Sequence, residues 1–204
     1  MIKHWTVSVG VGFLCFGLAV LSVLGEEQRP KEPKESRPDP FEQPVVSPEG
    51  VKVALELRTA ELVIKEGQKI VWSLELVNLG KKEVTLVQPG DGSDCAWRTP
   101  LIQWRINGQG PRGEVGRCGN INSLRPNEVF TLKPGQRVKL NEWVRQPALI
   151  GTGKFQVSFR YVNLPSLTWG GLPLGKHDEA TMAQVRHSTP LDVKSNVVEI
   201  NVVK

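Results

Sequence analysis

Ile70-Val71-Trp72-Ser73-Leu74-Glu75-Leu76-Val77-Asn78-Leu79-Gly80 is the stretch that decides the fold. Ile70, Trp72, Leu74 and Leu76 alternate with Val71, Ser73, Glu75 and Val77, which is the period of a half-buried strand and not of a helix. Asn78-Leu79-Gly80 then supplies turn chemistry, and Val84 and Leu86 resume the alternation. Working outward, the same pattern recurs at Val51/Val53/Leu55/Leu57, Ile102/Trp104/Ile106, Val138/Leu140, Phe155/Val157/Phe159/Tyr161 and Val198/Ile200/Val202. Pro89-Gly90-Asp91-Gly92, Asn107-Gly108, Lys133-Pro134-Gly135 and Gly151-Thr152-Gly153 separate the runs. The best helix candidate is 178–186, one or two turns at most. About seven strands with one polar face each predict an all-β, antiparallel, immunoglobulin-like β-sandwich, with a barrel as the alternative.

The 204 residues divide unevenly around this unit. Lys3 and His4 precede a nearly unbroken apolar run from Trp5 to Leu24, which reads as a signal peptide over 1–25, cleaved after Gly25. The alternative is an uncleaved anchor over 5–24, since about 20 apolar residues can just span a bilayer. Cys15 is not a lipoprotein anchor, because Leu14 stands where a small residue is needed. Six prolines among alternating charges make 26–48 a disordered, stiff linker. The folded domain is then 49–204. It holds 21 Lys+Arg against 15 Asp+Glu, and segment 97–145 alone holds nine bases against three acids. An ordinary overall composition excludes collagen-like, coiled-coil and disulfide-dense classes.

Few residues carry chemistry. Cys95 and Cys118 are an even pair in an exported domain, most simply read as a disulfide closing a loop of about 23 residues, which stabilises by roughly 3 kcal/mol; two free thiols are the alternative. Asp91-Gly92-Ser93-Asp94 is a plain turn or a weak calcium loop, lacking the full ladder of oxygen ligands. His177-Asp178-Glu179 is a weak metal or acid/base cluster, since three adjacent residues do not point one way. No nucleophile elbow, phosphate-cradling loop or His-Glu-x-x-His pattern occurs. No catalytic residue, metal or cofactor is therefore assigned. Trp72 and Trp104 fall in phase with core strands. Trp97, Trp143 and Trp169 lie in loop-like settings. With Arg98, Arg105, Arg112, Arg117 and Arg125 they form the candidate binding surface, set against the simpler reading of solvated arginines and loop tryptophans folded onto a small core.

Leu74 to Gly80 followed by Val84-Thr85-Leu86 resembles a strand-turn-strand signature of bacterial immunoglobulin-like modules. Leu132-Lys133-Pro134-Gly135, Trp143 and Gly153-Lys154-Phe155-Gln156-Val157 resemble their "Leu-x-Pro-Gly … Trp … Gly-x-aromatic-x-Val" half. Proteinase-inhibitor-type domains show a similar order. The resemblance implies the sandwich; the fold alone does not imply a function. Phe155 stands where a Tyr is usual, so a tyrosine-corner bond is not available at that position. The expectation is a non-catalytic, exported binding or scaffolding module at the bacterial cell envelope. It would be periplasmic, surface-held or secreted, with an envelope protein or acidic polysaccharide as partner. Nucleic acid is excluded for an exported chain, and a membrane enters only through an uncleaved N-terminus. The alternatives are a protease-inhibitor-like module acting through a loop such as 108–120, or a small hydrolase using Asp91, Asp94, His177 and Asp178. The variable loops would be 88–128 and 163–190.

Overall fold

The computed structural model describes residues 44–110, 119–140 and 147–204. The expected targeting segment, most of the linker, and Arg112, Arg117, Cys118 and Trp143 lie outside them. In chain order the elements are β1 (Val53–Thr59), β2 (Val63–Lys65), β3 (Trp72–Asn78), β4 (Val84–Val87), β5 (Leu101–Ile106), β6 (Asn120–Ile121), β7 (Val129–Leu132), β8 (Arg137–Lys139), β9 (Gly153–Asn163), β10 (Leu172–Pro173), α1 (Glu179–Arg186), β11 (Leu191–Lys194) and β12 (Val198–Val203). Short 3-10 turns occupy Ser93–Cys95 and Pro126–Glu128.

Most of the alternating runs become strands of two facing layers, while the Val84/Leu86 run, β4, pairs antiparallel with β7 in a separate two-stranded ladder. In the first layer β3 lies between β1 and β8, both antiparallel to it. In the second, β9 has β5 on one edge and β11 then β12 on the other, with β2 beyond β12. The order β1-β3-β8 facing β5-β9-β12 is the A-B-E and C-F-G arrangement of an immunoglobulin-like sandwich. The expectation of purely antiparallel pairing is too simple: β2 runs parallel to β12, and β10 parallel to β6. The first parallel pair arises because the chain leaves the first layer after β1 and crosses to the edge of the second. Along that side the layers also touch through backbone. Leu55 bridges Ser195, and the Asn196 side-chain amide both accepts from Leu57 N (2.8 Å) and donates to Leu57 O (3.0 Å). The sandwich is thus sewn along one seam, a partial step toward the barrel alternative.

The core lies where the alternation puts it. Leu55, Leu57, Trp72, Leu74 and Leu76 of the first layer meet Ile64, Ile102, Val157, Phe159, Tyr161, Ile200 and Val202 of the second. Trp72 is 8% exposed. It leans on Trp104 at 5.5 Å between ring centroids, and Trp104 meets Phe159 edge-on at 4.9 Å. Leu101 and Val162 are buried too, although they belong to the opposite faces of their strands. Leu164, Leu167, Val45 and Ala96 cover that outer face and make a second small core.

Two buried polar side chains fix how strands end. Asn78, fully buried, donates through Nδ2 to Lys82 O and Leu132 O, each at 2.8 Å, and accepts from Gly80 N at 2.9 Å. The deciding stretch therefore ends in a side chain that ties the β3–β4 turn to β7. Gly80 is required beside it: a Cβ there would lie 2.8 Å from Gly50 O and 2.9 Å from Lys52 N. The hydroxyl that Phe155 lacks is supplied further along β9 by Tyr161. It is fully buried and donates to Val87 O at 2.7 Å, and burial pushes its pKa far up.

Candidate functional site

Three long connections, 88–100, 119–128 and 164–178, meet at one end of the sandwich. Arg98 is the residue they share. Its side chain is 1% exposed. Nε donates to Thr99 O at 3.4 Å and Nη2 to Gln88 O at 3.5 Å. Nη2 also lies 3.8 Å from the Glu128 carboxylate. The guanidinium sits 5.0 Å from the centre of the Trp169 ring, a cation–π distance. Burial lowers the Arg98 pKa, while Glu128 and then Asp91 oppose the shift. An arginine stays charged through such shifts. Gly90 makes the room: a Cβ there would stand 2.6 Å from Arg98 Nη1.

Trp169 is half-buried. It packs into a satellite core of Val87, Leu124 and Val185 and meets the His177 ring edge-on at 4.9 Å. His177 Nδ1 accepts from Leu124 N at 3.2 Å. Burial first, then Arg98, holds the His177 pKa below its ordinary value. Trp97, also half-buried, accepts at its carbonyl from Gly170 N (2.8 Å). Asp91 Oδ2 accepts from Asn122 N (3.2 Å), which ties the first connection to the second. The third connection pairs with the second through β10 and β6, ending in exposed Leu172 and Leu174.

The structure therefore brings together Trp97, Arg98 and Trp169 of the sequence candidates, with Arg125 beside them. Arg125 is exposed and begins the 3-10 turn. Its N–H donates to Glu128 Oε2 (2.7 Å), and its carbonyl accepts from Glu128 N (2.9 Å). Arg98 itself is inside and not on a surface, because Glu128 and the Trp169 face replace water around it. Arg105 stands apart. It lies near the far end of β5 from Arg98, with the four strand residues Leu101 to Trp104, at about 3.3 Å each, between them, and it donates to Gly108 O at 3.2 and 2.8 Å in its own turn. Most of the 108–120 loop lies outside the described residues, as does Cys118. Cys95 Sγ lies 3.4 Å from Gly92 O.

The weaker chemical candidates separate into structural roles. His177, Asp178 and Glu179 do not converge. Asp178 caps α1, its Oδ2 accepting from Thr181 N (2.8 Å) and Thr181 Oγ1 (2.7 Å), and Glu179 pairs with Arg186. Those Thr181 bonds hold the Asp178 carboxyl below its usual range. Asp94 lies in the 3-10 turn after Gly92. Among the described residues no group of three or more His, Cys, Asp or Glu is placed to hold a metal, and no helix is long and apolar enough to cross a membrane. Sequence reasoning passed over Glu128 and Gly90. Their contacts with Arg98 follow no local sequence pattern, although Glu128 also accepts from Arg125 N in its own turn.

Fold and site together define an immunoglobulin-like β-sandwich module with one end built from tied loops. No protein-family model matches the chain, and no characterised protein matches it in sequence. Among solved structures it is similar to the CARDB domain of a Pyrococcus furiosus protein, determined in complex with di-metal ions. Identity is 11%, with 78% of this chain and 98% of that one covered at a TM-score of 0.36. A likeness so distant adds nothing to the strand order described above.

Proposed function

We propose that the chain is a non-catalytic binding or scaffolding module, exported to the bacterial cell envelope, whose partner meets the end built by 88–100, 119–128 and 164–178. The observation that carries this reading is Arg98. One buried guanidinium contacts all three connections, so the loop end is preorganised, and a preorganised surface loses less entropy on binding. Exposed Arg125 at this end, within a segment 97–145 rich in bases, favours an acidic partner, either an acidic polysaccharide or an acidic face of an envelope protein.

Heparin serves as a stand-in acidic polysaccharide. The full chain on immobilised heparin is expected to be retained at low salt and released as salt rises through the range where the Debye length falls below about 8 Å. Arg125→Ala, combined with Arg112→Ala and Arg117→Ala, should bring elution earlier. Passage without retention at low salt overturns the polysaccharide reading. Export is tested separately, by the mass of the chain's N-terminus in an envelope fraction: loss of residues 1–25 supports a cleaved signal, and recovery only from the cytoplasm overturns export.

A further inference from the structure

We infer that His177 is an acid-sensitive latch on the loop end: neutral, it ties 164–178 to 119–128 through Leu124, and protonated it lets go. The geometry argues this directly. Nδ1 accepts a backbone N–H from Leu124, so the neutral ring carries its hydrogen on Nε2. A proton arriving at Nδ1 turns the acceptor into a donor facing a donor, and the contact becomes repulsive. The ring also lies edge-on to Trp169, which bears the Arg98 guanidinium. A second cation there adds like charge close to a buried one.

The charged surroundings do not compensate. From the first connection come Arg98 and Asp91, and Asp91 is engaged by Asn122 N. From the 3-10 turn come Arg125 and Glu128, whose carboxylate accepts from Arg125 N and faces Arg98. Lys176 and Asp178 flank His177 in the chain, and Asp178 is committed to Thr181. On α1, Glu179 pairs with Arg186. Among the described residues no carboxylate is bonded to the imidazole. Burial and Arg98 accordingly hold the folded pKa below 6.5. The sign follows: closure is fully supported above about pH 6.5 and weakens as pH falls toward the folded value. What the latch holds is substantial, because Leu124 is buried against Trp169 and Val185 in the satellite core. The latch stands on this geometry whether or not the loop end binds a partner.

The test is amide hydrogen exchange by NMR on the full chain between pH 7.5 and 5, normalised for intrinsic exchange, with the His177 ring nitrogens followed alongside. Protection of the Leu124 amide is expected to fall by up to about tenfold per pH unit below 6.5, while core amides such as Phe159 keep theirs. His177→Asn places an oxygen near the Nδ1 position without a titrating proton, and its Leu124 protection should stay flat. Unchanged Leu124 protection in the parent, or an equal loss at Phe159, overturns the latch. So does a neutral His177 carrying its proton on Nδ1, a result that needs no variant.

Discussion

Asn78→Ala tests the central claim about how the sandwich is tied. The substitution removes two bonds donated at 2.8 Å and one accepted at 2.9 Å, all from a fully buried amide. At about 1 kcal/mol net per bond, the loss is about 3 kcal/mol. That is a large share of the roughly 5–15 kcal/mol by which domains are stable. In urea, with a slope of about 1–3 kcal/mol per molar, the midpoint should drop by roughly 1–3 M at unchanged slope, followed by tryptophan fluorescence. Asn78→Asp sharpens the test. It keeps the acceptor for Gly80 N but turns a carboxylate toward Lys82 O and Leu132 O, so it should destabilise more than alanine does. Asn78→Ala within about 0.5 kcal/mol of the parent, a range ordinary for surface changes, refutes the reasoning. Asn78→Asp equal to the parent refutes the role of the two donors.

Tyr161→Phe removes the hydroxyl that Val87 O accepts and should cost about 1–2 kcal/mol, read as a lower thermal midpoint at neutral pH. Gly90→Ala drives a methyl to 2.6 Å from Arg98 Nη1; a changed Trp169 emission relative to a Trp169→Phe control, with the β-sheet circular dichroism retained, would show that the loop end alone has shifted. Asp178 is held below its usual pKa, so its contribution to α1 is present above about pH 3.8 and fades as pH falls through the lower folded value. Asp178→Asn, still a good helix cap, should match the parent at neutral pH and show a flatter acid limb in thermal melts.

The strands were legible because alternation is local. Residues 70–77, 155–161 and 198–202 each carry their own period, and β3, β9 and β12 lie over them. The short helix was legible from its apolar spacing, and Asn78 with Gly80 from turn chemistry. The loop end was not. An arginine reads as solvated until something replaces water around it, and for Arg98 that something is Glu128 and Trp169, both distant in the chain. Leu101 and Val162 sit out of phase with their strands, so their burial waited on a loop that covers the outer face. Tyr161 reads as an inward residue, but its partner Val87 belongs to another strand. The positive segment 97–145 also proves heterogeneous: Arg98 is internal, Arg105 closes its own turn, and Arg125 is exposed.

The seam at Asn196 has a bearing on self-association. A strand at the rim of a sheet presents unpaired N–H and C=O groups and is a template onto which another chain can grow. On the outer rim of β1, Leu57 has already given both of its groups to the Asn196 amide, and Leu55 is bridged to Ser195. A second molecule seeking to polymerise along β1 would first have to evict a side chain belonging to this one. Asn196 thus acts as a terminator of strand addition, guarding a module that displays exposed Leu172 and Leu174 elsewhere.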